Sequence, residues 1–343
     1  MFFWYDYLLL SVMIGGSAVI GVYFGFFGKK QDNKKEYLLG GKSMSIIPIA
    51  ISLIASIISG ITMLLFPADV YKYGSSLIWL CVTMPIACLL QSYIFLPIFF
   101  KLQLTSVYEY LQLRFNYKCR LFASFIFSSV SLFYNATVIY IPSIAFAQAT
   151  NINIHYIAFF ICFLCIFYTT VGGLKAVVWT DVFQFLGMVV STIGVVVVGF
   201  KVVGGPEIVW NTSISSGRLD IFDFRFDLKL RSNFWAISLA GTIQWMSFLI
   251  VNQSFVQKCL ALPTLSKARK AVYIYGFGVM FFIFCMVLTG NIMYSKYKDC
   301  DPLSAHLVSR HDQLLPYFVV NISDQLPGLL GVFMSGCFCA ALR

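Results

Sequence analysis

Long apolar runs alternate with short polar stretches along the whole chain. Nine runs approach the roughly 20 residues that a helix needs to cross a bilayer. They cover 4–27, 45–66, 76–100, 121–147, 155–171, 177–203, 233–254, 271–292 and 325–342, the fifth being short. The pattern predicts a single all-helical transmembrane domain over 1–343. The second run is unlike the others. Ser52, Ser56, Ser59, Gly60 and Thr62 interrupt it, and Pro67 and Asp69 follow. Small polar residues at mid-span suit close packing between helices. They also suit a helix broken inside the membrane, whose freed carbonyls hold a cation. The residues of this span leave both readings open.

Composition agrees with a lipid solvent. Hydrophobic residues make up 59% of the chain and charged residues 11%, against about 25% charged in a soluble domain. The net charge of +10 therefore reads as loop charge rather than as a nucleic-acid footprint. The first run has no basic residue before it and Lys29, Lys30, Lys34 and Lys35 after it. A secretory signal has the opposite polarity, so this run is expected to be a first span with its N-terminus outside. On that topology the inner loops carry 14 of the 24 basic residues, Lys175, Lys258, Lys267, Arg269 and Lys270 among them, as the positive-inside rule requires. The outer stretches 204–232 and 293–324 hold the glycosylation candidates Asn211 and Asn321.

Chemistry-bearing constellations are few. The ten cysteines and three histidines show no metal-ligand spacing. Paired carboxylates, a phosphate loop and a nucleophile–base set are absent from the sequence, which leaves an enzyme little to stand on. Glu109 and Arg114 read as a polar pair on a loop helix. Asp181 follows Trp179-Thr180 near the start of the sixth run. An acid there marks an ion pathway by default, or an interfacial acid snorkelling beside Lys175.

Three stretches together resemble the sodium/solute symporter family. They are Thr105-Ser106-Val107-Tyr108-Glu109-Tyr110-Leu111 with Arg114-Phe115, Gly172-Gly173-Leu174-Lys175 through Trp179-Thr180-Asp181-Val182-Phe183-Gln184, and Asn252-Gln253 with Val256-Gln257-Lys258-Cys259-Leu260-Ala261. Cys300-Asp301-Pro302-Leu303, Asp312-Gln313-Leu314-Leu315-Pro316-Tyr317-Phe318 and Pro327-Gly328-Leu329 look like the multivitamin and monocarboxylate branch, whose members carry small organic anions or iodide. The resemblance implies the inverted-repeat, five-plus-five helix symporter fold with an extra N-terminal helix and, over this chain, an incomplete second repeat. It also implies a multi-pass plasma-membrane protein without a cofactor. Sodium would be the coupling ion and a small organic anion the substrate, carried by alternating access.

The sites the resemblance implies fall at particular residues. Sodium would meet backbone carbonyls at Ala55, Ile58 and Ala340, with Asp181 as the coupling acid. Arg343 stands where a sodium-binding hydroxyl is expected. The positions that bind sugar in other branches read Thr62, Cys81 and Trp245, which would line the substrate cavity here without the sugar-bonding set. Phe248 matches an aromatic gate. Ser56, Ser59 and Thr62 could help half-helix N-termini hold an anion. The alternative implied by Arg343 is a short form that does not transport and associates with full-length copies. A channel or sensor on the same fold is a third reading.

Overall fold

A computed structural model describes residues 3–27, 37, 39–102, 104, 106–150, 152–226 and 233–341. Arg343 and the basic stretch 29–35 lie outside the described residues. Helices α1 (Trp4–Val22), α2 (Ile46–Ile57), α3 (Gly60–Tyr73), α4 (Leu80–Leu90), α5 (Leu96–Leu102), α6 (Val107–Arg114) and α7 (Tyr117–Thr150) lead into α8 (Ile154–Val203). Then come α9 (Pro206–Ser215), α10 (Phe234–Val251), α11 (Gln253–Leu260), α12 (Leu265–Tyr297), α13 (Leu314–Ile322) and α14 (Leu329–Ala341). Among the described residues six helical segments are long and apolar enough to cross a membrane, or seven if the bent pair α2–α3 is one span. The chain is a multi-pass membrane protein.

Two of the elements are not simple rods. A straight 50-residue helix would run about 75 Å, more than twice the thickness of the hydrocarbon core. In α8 the run is broken at Gly173, at φ 59° and ψ −161°. Only a residue without a Cβ adopts that conformation readily, so the chain can change direction there. The second break, between α2 and α3, bends the chain by 57°.

The most buried long span is α12, with 56% of its apolar window inside the protein, against 6% for α7. It packs on α2, α3, α4 and α8. The break between α2 and α3 falls where the core divides. Ile49, Leu53, Ile54 and Ile58 join a cluster with Phe255, Tyr275 and Phe282. Leu64, Ala68 and Tyr71 join a second cluster with Phe318, Phe333 and Cys337. The first half-helix is thus held by one core, while the second reaches both, through Met63 to the first and Leu64, Ala68 and Tyr71 to the second. Helix α1 lies against α8 and α14.

The stretch after α12 is tied down by Asp301, which accepts hydrogen bonds from Tyr71 Oη at 2.7 Å and Ser304 Oγ at 2.7 Å. Burial raises the pKa of its carboxyl, but these bonds outweigh it and hold it below the ordinary range. The candidate Asn211 is exposed on α9, and the exposed Asn321 on α13 donates to Tyr297 Oη at 2.8 Å.

Candidate functional site

The break is local in origin. Helix α2 ends at Ile57, and Ile58 leaves the helical region at φ −79°, ψ 85°. Ser59 is extended and caps α3, its hydroxyl accepting from the Thr62 amide at 3.3 Å. In a continuous helix the Ser59 amide would close on the Ala55 carbonyl. Here it turns to Ile57 O at 2.9 Å. The Ala55 carbonyl therefore loses its helical partner at a buried position. Replacing Ser59 with alanine is expected to cost about 1 kcal/mol through the lost cap, with asparagine tolerated; chemical unfolding in micelles measures it.

Beside the break lies a cavity of about 440 Å³. Ser56 and Ser59, Tyr134 and Asn135 of α7, Asp181 of α8 and Phe248 of α10 line it. Lys258 of α11 and Ala340 of α14 also line it. Asp181 and Lys258 form a buried ion pair at 2.8 Å, with side chains 2% and 8% exposed. The ammonium donates to Asp181 Oδ2, to Ser56 Oγ at 2.7 Å and to Ser52 O at 3.4 Å. An ammonium has three protons to give, and each has an oxygen. Ser52 Oγ donates to Asp181 Oδ2 at 2.5 Å, and Ser56 Oγ donates to Ser52 O at 2.7 Å. Among the described residues every hydrogen bond to Asp181 falls on Oδ2.

The structure brings Ser56, Ser59, Asp181, Phe248 and Ala340 to one cavity, with Ala55 and Ile58 buried at the break behind it. Three residues expected at the substrate are turned elsewhere. Thr62 Oγ1 folds back onto Ile57 O at 3.4 Å. Cys81 Sγ points to Met280 O at 3.7 Å. Trp245 is buried in the apolar core. None of the three is on the cavity wall.

The loop-charge reading of Lys258 is corrected. Burial and the pair with Asp181 make it part of the site, because Phe255, Lys258 and Cys259 share the buried side of α11. Asp181 likewise is buried against Lys258 and is not an interfacial acid beside Lys175. The i, i+3, i+4 spacing of 255, 258 and 259 was the available signal, since it puts the lysine on an apolar face. Ser52 was equally detectable, standing at i, i+4, i+7 with Ser56 and Ser59. Asn135 of α7, which carries no charge and stands in an apolar run, also lines the cavity.

An all-helical membrane fold with a broken span beside a cavity that holds a buried ion pair is the architecture of carriers. The fold matches a Na⁺-coupled sialic acid symporter in a substrate-bound outward-open state, with a TM-score of 0.90 at 24% identity over 100% of this chain and 70% of that one. Residues 37–342 match the Sodium:solute symporter family, and the chain belongs to it. It is 41% identical over 337 residues to sodium-coupled monocarboxylate transporter 2 of Danio rerio, covering 98% of this chain and 54% of the relative. Sodium-coupled monocarboxylate transporter 1 of Homo sapiens is 38% identical (98% and 55% covered). A putative sodium-dependent multivitamin transporter of Drosophila melanogaster is 35% identical (98% and 56% covered). The chain thus spans about half the length of the curated relatives it matches. The family and these relatives are transporters, not enzymes.

Proposed function

We propose that this chain forms the cation- and anion-binding part of a sodium-coupled symporter for small organic anions of the monocarboxylate or vitamin class. The observation that carries the reading is the α2–α3 break, which parts the Ala55 carbonyl from the Ser59 amide beside a cavity walled by Asp181 and Ala340. Sodium, as a co-transported substrate, would meet the carbonyls of Ala55, Ile58 and Ala340, with Asp181 as the coupling acid. The anion would lie near Ser56, Ser59 and Phe248, where the N-terminus of α3 offers partial positive charge. By linkage, sodium raises anion affinity by the factor with which the anion raises sodium affinity. Transport then follows by alternating access, in a plasma membrane, with the N-terminus and both Asn211 and Asn321 outside.

The test is equilibrium binding of labelled lactate, nicotinate and biotin to the purified chain in lipid nanodiscs, in sodium or in choline. Binding of at least one of them in sodium and of none in choline supports the reading. Equal binding in the two salts, or none in either, counts against it. Uptake into vesicles under a sodium gradient then separates a transporting chain from one that binds without moving its ligand.

A further inference from the structure

The ammonium of Lys258 sits in an unusual set of partners. A carboxylate oxygen, a hydroxyl and a backbone carbonyl receive its three protons, all from α2 and α8. Hard oxygen donors of this kind are also what a small alkali or alkaline-earth cation requires. The lysine thus fills, from α11, a cage that suits a free cation. With Lys258 in place the cage is neutral. Adding a second cation without moving the first would set two like charges side by side with one carboxylate to share.

The lysine has somewhere to go. It is a flexible four-carbon stem ending in a strongly hydrated charge, and it borders the cavity. Asn252, Ser254 and Gln257 line the same wall and can receive the ammonium once it leaves Asp181. Its departure would have a mechanical result. Lys258 ties α11 to Ser52 and Ser56 of α2. At its other end α11 holds α6, through Gln253 Oε1, which accepts from the Val107 amide at 2.8 Å.

We infer that Lys258 is a tethered cation that occupies Asp181 until a free monovalent cation replaces it, so that cation binding at Asp181 and attachment of α11 to α2 exclude one another. The inference rests on the reading of Asp181 as the coupling acid. It makes Lys258 a positioning residue that sets sodium affinity and passes sodium occupancy to α11 and α6.

The test uses the whole chain in nanodiscs and equilibrium binding of ²²Na⁺. Lys258→Met removes the competitor and is expected to tighten sodium binding about tenfold or more, a gain of about 1.4 kcal/mol per factor of ten. Lys258→Arg, which keeps the charge, is expected not to tighten it. Asp181→Asn and the double variant Asp181→Asn/Lys258→Met are expected to lose the binding. If Asp181→Asn loses sodium while Lys258→Met binds as the wild type does, or more weakly, the tethered-cation inference is overturned and Asp181 stays the coupling acid. If Asp181→Asn binds sodium like the wild type, the role of Asp181 itself falls. A second measurement needs no variant. Acetylation of Lys258 by an amine reagent, followed by mass spectrometry with Lys267 as internal reference, is expected to rise several-fold when sodium replaces choline, because a displaced amine is exposed to the cavity. Unchanged or reduced acetylation in sodium would also overturn it.

Discussion

Replacing Asp181 with leucine is expected to lower the free energy of unfolding by about 3–5 kcal/mol, because it strands the Lys258 ammonium in a buried cage without its counter-charge. The pair is closed on both sides, at 2% and 8% exposure. Its neighbours Ser52 and Ser56 offer only neutral oxygens. Lys258→Met is expected to be destabilising in choline and partly restored by sodium, since a free cation can take the vacated place. Asp181→Leu has no such remedy. The double variant Asp181→Leu/Lys258→Met is expected to recover most of the loss, because apolar groups of similar volume need no solvation. Denaturant titration in micelles, in sodium and in choline, measures all three. Additive losses in the double variant would mean that the two side chains stabilise the fold independently, contrary to the geometry.

Asp6→Leu is the second large effect, expected at about 1–3 kcal/mol for the amide it leaves buried without an acceptor. The Asp6 carboxylate is 1% exposed. Its Oδ2 accepts from the Phe3 amide at 2.9 Å, and its Oδ1 accepts from the Gly331 amide at 2.9 Å, in the first turn of α14. A negative charge at a helix N-terminus is well placed. The contact is also tight, since a Cβ on Gly331 would lie 2.6 Å from the Asp6 Cα. Backbone cannot move aside as a flexible side chain can, so Gly331→Ala is expected to cost a similar 1–3 kcal/mol by overpacking. Asp6→Asn keeps one acceptor oxygen and is expected to lose much less. The same unfolding assay ranks the three. The clip bears on the site because α14 ends near it, Ala340 lying nine residues, roughly 14 Å, beyond Gly331 along the helix.

Several parts of this arrangement were readable from residues near one another in the chain. The apolar runs marked a helical membrane protein, and the small polar residues of the second span admitted a break there, although close packing suited them as well. Gly172-Gly173 was noticed as a motif, but its role as the bend in α8 depends on a backbone conformation that sequence does not display. Thr62, Cys81 and Trp245 were assigned to the substrate by position in the resemblance. In the structure Thr62 turns to the backbone and Trp245 lies in the core, and such orientations are invisible in a run that is apolar on every face.

What the chain determined by itself is its solvent and its class, a bundle of membrane-spanning helices. Hydropathy, capping and backbone preference act residue by residue or within a few residues, so linear order is enough to express them. Tertiary structure alone decided which charges meet. Lys258 reaches Asp181 across 77 positions and Ser52 across 206, and Gly331 reaches Asp6 across 325. Those pairings follow from how helices far apart in the chain pack, with α1, α2 and α14 all against α8. A buried charge is stable only where packing delivers its partner, and no property of either residue alone names that partner.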